Sequence, residues 1–259
     1  MTAAMLLVIA GMGLSGVILW RRLAPGLTPL SAGSTTVSGV LYAFLGVIGA
    51  SLIEPVALAL ADAPDPSLTA VVTLHACASL LVAGLLLAVA ASRGGVARLG
   101  VRRVGGPPAP LVALAAWLAC LPAVLVLGWI NSWILTALGH PPGTQDWIAR
   151  FLASPEAQVS PLTWLAMAVV LPACEELFFR GGLYGGLRRV LPLPLAVLLA
   201  AVIFGLVHDP AYALQAAGLG AALCLLYERT GSLAAPVCFH VLHNGLMLAI
   251  VSSHPELAT

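Results

Sequence analysis

The stretch Cys174-Glu175-Glu176-Leu177-Phe178-Phe179-Arg180 places three ionisable side chains inside an apolar run from Pro161 to Leu187. An ionisable residue at membrane depth costs roughly 2.5–3.5 kcal/mol on insertion scales, so such a cluster indicates a partner or a task. On a helix, Glu176 and Arg180 lie on one face, in the acid-first order that favours an ion pair. Glu175 points about 100° away from Glu176. The pattern predicts one structural carboxylate and one that is available for chemistry.

The composition around this stretch is that of a membrane protein. Of the 259 residues, 61% are hydrophobic and only 8% are charged, whereas soluble domains carry about 25% charged residues. The net charge is +1, every basic residue is an arginine, and no basic block suits a nucleic acid. The five cysteines lie singly in apolar segments, so we interpret them as packing residues. We expect an integral membrane protein that binds no nucleic acid.

Apolar runs separated by proline, glycine and charged residues predict an all-α, polytopic helix bundle with about eight transmembrane helices. The predicted spans are 1–20, 37–61, 69–91, 110–138, 161–188, 193–208, 212–227 and 233–252. A short amphipathic helix at 144–152 is predicted to lie on the membrane surface. We divide this single membrane unit into N-terminal transmembrane helices, 1–109, and a catalytic core, 110–259.

The arginines predict the orientation in the bilayer. If Arg21 and Arg22 are cytoplasmic, alternation of the spans places most other arginines of the loops on the same side: Arg93, Arg98, Arg102, Arg103, Arg188, Arg189 and Arg229. Of the loop arginines, Arg150 alone falls outside. This distribution follows the positive-inside rule and puts both termini outside the cytoplasm. The Lys-free, Ala-, Leu- and Pro-rich composition suggests a high-GC genome and hence a bacterial inner membrane.

Polar side chains recur in the last four predicted spans. Besides the glutamate pair, Phe204-Gly205-Leu206-Val207-His208 ends the sixth span, and His240 and Asn244 share one helix face in the eighth. A rise of 1.5 Å per residue allows Glu175, His208, His240 and Asn244 to converge on one layer of the membrane. We expect them to form one site.

A carboxylate and two imidazoles in a dehydrated cavity provide what peptide hydrolysis requires. Glu175 can take a proton from water, and an imidazole can orient that water or bind a metal that acidifies it. Asn244 and a second imidazole can donate hydrogen bonds to the developing oxyanion. The alternative is an ion- or solute-coupled transporter in which the buried Glu, His and Asn line a path. Such folds often show two related halves, whereas this polar cluster occupies one half only, which favours the enzyme.

Three motifs in order resemble the CAAX prenyl protease and bacteriocin-processing (CPBP) intramembrane proteases. They are Glu175-Glu176-Leu177-Phe178-Phe179-Arg180-Gly181, Phe204-Gly205-Leu206-Val207-His208, and His240 followed by Asn244. The resemblance implies an intramembrane endopeptidase in which Glu175 activates water with His208 as its partner. It also implies that His240 and Asn244 complete the site and hold the oxyanion, while Glu176 and Arg180 support it.

The resemblance leaves the cofactor and the substrate open. His208 and His240, with a carboxylate, could ligate Zn²⁺, but no HExxH motif assigns ligands and base separately. The enzyme is therefore either a metal-free glutamic peptidase or a metal-dependent one. The implied substrate is a membrane-embedded or lipidated peptide or protein, such as a prenylated chain, a secreted peptide or a C-terminal sorting tail.

Overall fold

The computed structural model describes residues 3–27, 66–92, 107–140 and 143–255, and these form helices without any β-strand. We label the helices in chain order: α1 Ala3–Leu23, α2 Leu68–Ser92, α3 Ala109–Ala137, α4 Asp146–Leu152, α5 Pro155–Val159, α6 Pro161–Val190, α7 Leu193–Leu206, α8 Ala213–Thr230 and α9 Ala234–Ser253. The all-α prediction is confirmed for this part of the chain.

Helix positions follow the sequence prediction closely. Where residues are described, the ends of the predicted spans agree with the observed helices to within three residues. The predicted span 37–61 lies outside the described residues. The predicted helix at 144–152 is present as α4, and the short helix α5 that follows it was not predicted.

Five of the described helices are long and apolar enough to cross a membrane: Leu6–Gly26, Leu68–Ala91, Ala109–Ala137, Pro161–Val190 and Ala234–Ser253. Helix α7 is apolar but shorter, with 14 residues, and α8 carries Glu228 and Arg229 near its end. The protein is therefore a membrane protein with several apolar helices. The count of eight spans stays a prediction.

The chain forms two compact units that interleave along the sequence. These units do not test the predicted division into 1–109 and 110–259, which stays a prediction. The first unit contains α1, α3, α7, α8 and the beginning of α9 up to Phe239. Within it α8 packs against α3 and α7, and α1 packs against α3. Glycine allows the α1–α3 approach, because a Cβ at Gly16 would collide with the backbone of Leu118 and Ala119.

The second unit contains α2, α4, α5, α6 and the part of α9 from His240 onward. Helix α2 packs against the first half of α6, where the hydroxyl groups of Thr69 and Thr163 lie 2.9 Å apart. An apolar cluster joins the helices of this unit: Leu68, Val72, Ala76, Phe151, Ala157, Ala166, Ala168, Leu248 and Val251. This packing fixes α6 and the end of α9, which carry most of the predicted site residues.

Candidate active site

Helix α6 is not a uniform α-helix where it carries the glutamate pair. Two wider π-helical segments, Ala166–Val170 and Leu177–Tyr184, flank the α-helical piece Leu171–Glu176. Pro172 lies in that piece, and a proline inside a helix removes one backbone hydrogen bond and crowds the preceding turn. Such π segments are frequent at functional sites. The irregularity around Glu175 and Glu176 is the first structural sign of a site.

The second glutamate is fully buried and paired. Glu176 has a relative exposure of 0% and Arg180 of 1%, and Arg180 Nη1 donates to Glu176 Oε1 at 3.0 Å. This is the ion pair that the four-residue spacing predicts. Breaking such a buried pair by removing one partner typically costs about 3–5 kcal/mol, because the other charge is left uncompensated.

His240 contacts the same oxygen of Glu176. Its Nδ1 lies 2.8 Å from Glu176 Oε1, and the imidazole is 3% exposed. Since an ionised carboxylate only accepts hydrogen bonds, Nδ1 carries the proton in this contact. The other nitrogen, Nε2, lies 3.9 Å from Glu175 Oε2. His240 therefore lies between the two adjacent glutamates.

Glu175 occupies a different environment from its neighbour. Its side chain is 32% exposed, yet its Oε2 atom is buried and has no hydrogen-bond partner among the described residues. In its neutral form His240, held by Nδ1–H, would present a lone pair at Nε2, so two acceptors would face each other across the 3.9 Å gap. A water that donates to both, or a cation, would satisfy this arrangement.

Asn244 lies one turn after His240 on α9 and binds the first π segment of α6. Its Nδ2 donates to the carbonyl of Met167 at 3.3 Å. In that segment Leu171 N–H bonds to the carbonyl five residues back, that of Ala166. The same pattern would join Met167 O to Pro172, which has no N–H. Asn244 thus supplies the donor that the proline lacks.

This link between Asn244 and the backbone of α6 was not predicted from the sequence. The signal was present, since Pro172 lies within the apolar run and three residues before Glu175. One N–H of the Asn244 amide is used by Met167, and an amide has a second N–H to offer. His243, next to Asn244, is buried with 6% exposure, as a packing residue would be.

His208 belongs to the first unit, and its predicted partnership with Glu175 stays a prediction. Its Nδ1 lies 2.6 Å from the carbonyl oxygen of Phe204. A carbonyl only accepts, so Nδ1 carries a proton, and in the neutral imidazole Nε2 is then the acceptor. The Phe204 ring also packs on the imidazole, with centroids 4.5 Å apart. The motif residue Phe204 therefore fixes both the tautomer and the ring position of His208.

Gly205 and Gly220 lie where α7 and α8 approach each other around Phe204. A Cβ at Gly205 would lie 2.6 Å from the carbonyl oxygen of Ala213, and one at Gly220 would lie 3.1 Å from the Phe204 ring. The two glycines let α7 and α8 approach closely enough to hold the Phe204 ring. Asp209 does not orient the imidazole through Nδ1, and its Oδ1 accepts the N–H of Ala211 at 2.8 Å.

The donor set for a metal is incomplete within the second unit. Glu175 Oε2 and His240 Nε2 are two suitable donors, whereas catalytic zinc usually has three protein ligands. Across the described ranges, no three His, Cys, Asp or Glu side chains are grouped in a way that could hold a metal ion.

A buried Glu–Arg pair, a histidine between two glutamates, and an asparagine one turn away are brought together by α6 and α9. Residues 157–246, which contain all these elements, match the family model described as type II CAAX prenyl endopeptidase, Rce1-like. This match confirms the resemblance to the CAAX protease family over that segment of the chain.

Two bacterial membrane proteins are similar to the chain. YdiL of Bacillus subtilis (strain 168), described as a candidate membrane peptidase, is 33% identical over 88 residues, covering 34% of this chain and 36% of YdiL. The membrane-embedded CAAX protease MroQ of Staphylococcus aureus (strain USA300) is 28% identical over 111 residues, covering 39% of this chain and 43% of MroQ. The chain thus spans well under half the length of either relative. No solved structure gives a significant match.

Proposed function

We propose that this protein is an intramembrane endopeptidase that hydrolyses a peptide bond in a membrane-associated substrate, with Glu175 as the base that activates water. The observation that carries the proposal is the gap of 3.9 Å between Glu175 Oε2 and His240 Nε2. A water about 2.8 Å from both atoms fits across this gap and can donate to each of them. The family match of residues 157–246 supports the same conclusion.

The proposed reaction assigns each proton to an atom. Water attacks the substrate carbonyl carbon, its proton passes to Glu175, and the carbonyl oxygen becomes an oxyanion. The carbon–nitrogen bond then breaks as Glu175 returns that proton to the leaving amine. His208, whose Nε2 is an acceptor because Nδ1–H binds Phe204 O, is the proposed second group that orients the water.

Asn244 and His240 are the proposed oxyanion donors. The second N–H of the Asn244 amide can donate to the oxyanion, while the first anchors the amide to Met167. Glu176 holds Nδ1 of His240, and the proton that Glu175 takes from the water would be shared with Nε2 of His240 across the 3.9 Å gap, so that Nε2–H becomes the second donor to the oxyanion. Arg180 pairs with Glu176 at 3.0 Å and holds this carboxylate in place beside His240.

Substrate and membrane placement are part of the proposal. One relative is named as a CAAX protease, and the site lies in apolar helices, so the proposed substrate is a membrane-embedded or lipidated peptide. Prenylated chains, secreted peptides and C-terminal sorting tails belong to this class. We propose a bacterial inner-membrane location with both termini outside the cytoplasm, as the arginine distribution predicts.

The test is a comparison of protein termini in membranes from cells that express the parent or the Glu175→Gln variant. The substitution keeps shape but removes the proton acceptor, and we expect loss of cleavage by at least about 100-fold. Glu156→Gln is the matched control, because Glu156 lies exposed on α5 in the second unit. New termini that appear equally with the parent and with Glu175→Gln would refute the proposal.

A further inference from the structure

The turn that carries His208 is held by a side chain from a distant helix. Asn131, on α3, is buried with 7% exposure. Its Nδ2 donates to the carbonyls of Pro210 at 3.0 Å and Ala211 at 2.9 Å, and its Oδ1 accepts the N–H of Leu214 at 3.2 Å. All of these residues belong to the first unit.

The pattern of partners fixes the orientation of the amide. Two carbonyls can only accept and one backbone N–H can only donate, so a single orientation of the Asn131 amide satisfies all three contacts. No aliphatic residue of similar size could do this. The contacts bridge about 80 residues of sequence, and they reach both the turn after His208 and the first turn of α8.

Contacts within the turn support it as well, and the ring centroids of His208 and Tyr212 lie 6.2 Å apart. Asp209 closes it locally by accepting the N–H of Ala211, and Tyr212 N–H bonds to the carbonyl of Asp209. Both of these bonds lie within the turn. Asn131 ties the turn by hydrogen bonds to α3, which itself packs against α8.

We propose that Asn131 is a positioning residue for His208, an inference that rests on the proposed peptidase function. Phe204 fixes the tautomer and ring plane of His208, and Asn131 fixes the backbone that follows it. Without Asn131, the carbonyls of Pro210 and Ala211 and the N–H of Leu214 lose their partner on α3, and the turn is free to shift as these groups bond to solvent instead. Because catalytic groups must be held to within about an ångström, this relaxation lowers turnover.

The first measurement is hydrogen–deuterium exchange of the segment 207–216 in the purified, full-length protein. Asn131→Leu should raise exchange there at least about tenfold, because Leu214 N–H loses its acceptor and the turn opens locally. The matched control is Thr136→Val on the same helix, whose hydroxyl bonds only to the carbonyl of Ser132 in the same helix. Unchanged exchange in Asn131→Leu would overturn the inference.

The second measurement is cleavage of a peptide that carries a Glu175-dependent site found by the comparison of termini. Per folded enzyme, Asn131→Leu should lower kcat by about 10- to 100-fold with KM within about twofold, and Thr136→Val should change neither. A merely structural role would lower the folded fraction but leave both constants as in the parent, and that result would overturn the inference.

A second variant keeps the inference testable if Asn131→Leu does not fold. Asn131→Asp preserves the size and the acceptor for Leu214 N–H but loses the donors to Pro210 and Ala211, so it should show the same kcat loss with smaller exchange changes. Normal turnover in this variant would overturn the inference while leaving the proposed function intact. Cleavage that survives Glu175→Gln would instead refute the proposed function itself.

Discussion

The two adjacent glutamates offer a matched pair of substitutions whose effects should be opposite. Glu175→Gln and Glu176→Gln make the same chemical change one residue apart. Glu176 is fully buried and contacts both Arg180 and His240 through one oxygen. Glu175 is 32% exposed, and its Oε2 has no hydrogen-bond partner among the described residues. We expect the first variant to lose activity and keep stability, and the second to lose stability.

The magnitude follows from burial of the ion pair. Glu176→Gln removes the Glu176 carboxylate from the Arg180 guanidinium, which is 1% exposed, and breaking such a buried pair costs about 3–5 kcal/mol. For a protein of this size, 1 kcal/mol shifts the melting midpoint by roughly 2–4 °C. The midpoint of thermal aggregation in detergent should therefore fall by roughly 6–20 °C. Glu175→Gln should stay within about 2 °C of the parent.

A double variant tests the cause of the loss. Glu176→Gln combined with Arg180→Met removes both charges, so no uncompensated charge remains, and its midpoint should lie above that of Glu176→Gln alone. If Glu176→Gln melts with the parent, or if Glu175→Gln melts lower than Glu176→Gln, the assignment of structural and reactive glutamates is wrong. Arg180→Ala should melt like Glu176→Gln, and an inactive Arg180→Ala with the parent midpoint would mean that the arginine acts in catalysis.

Gly16→Ala should lower the aggregation midpoint, because its Cβ would meet the backbone of α3, whereas Gly11→Ala in the same helix meets nothing within 4 Å and should be neutral; equal midpoints would contradict the packing of α1 on α3. A topology reporter after the last residue should lie outside the cytoplasm and one near Gly100 inside, and two reporters on one side would mean a miscounted span. Cleavage should continue after chelation, and elemental analysis should find no stoichiometric zinc. The site is instead a metal centre if three results coincide: chelation stops cleavage, added zinc restores it, and the double alanine variant of His208 and His240 loses bound zinc.

The sequence predicts the helices well because their ends are marked by local chemistry. The predicted span 110–138 is observed as Ala109–Ala137, and 233–252 as Ala234–Ser253. In both cases a proline or glycine precedes an apolar run of the length that a bilayer requires. The Glu176–Arg180 pair was predictable for a similar reason, since contacts four residues apart follow from helix geometry alone.

The parts that escaped prediction depend on contacts between distant segments. The π segments of α6 shift backbone hydrogen bonds by one residue, and Pro172 indicates a break there without specifying its form. That Asn244 would donate to Met167, 77 residues earlier, depends on how α9 packs against α6. Asn131 gave the weakest signal, because a single asparagine in an apolar helix does not reveal which loop it binds.

Adjacency on a helix explains how two identical side chains can take different tasks. A step of about 100° turns one carboxylate toward Arg180 and the other away from it, and His240 reaches both because its two nitrogens lie on opposite sides of the ring. The buried glutamate is the poorer candidate for the base, because it is 0% exposed and its Oε1 is engaged by Arg180 and His240, although its Oε2 lacks a partner in the described part of the chain, as that of Glu175 does. The more exposed one has no arginine paired with it among the described residues, so it would hold the histidine less firmly. If Glu175 is the base and Glu176 holds the histidine, the single variants Glu175→Gln and Glu176→Asp should both be inactive, but for different reasons. Glu175→Gln would keep the contact between Nδ1 of His240 and Glu176. Glu176→Asp would lose it, because the aspartate side chain is one methylene shorter.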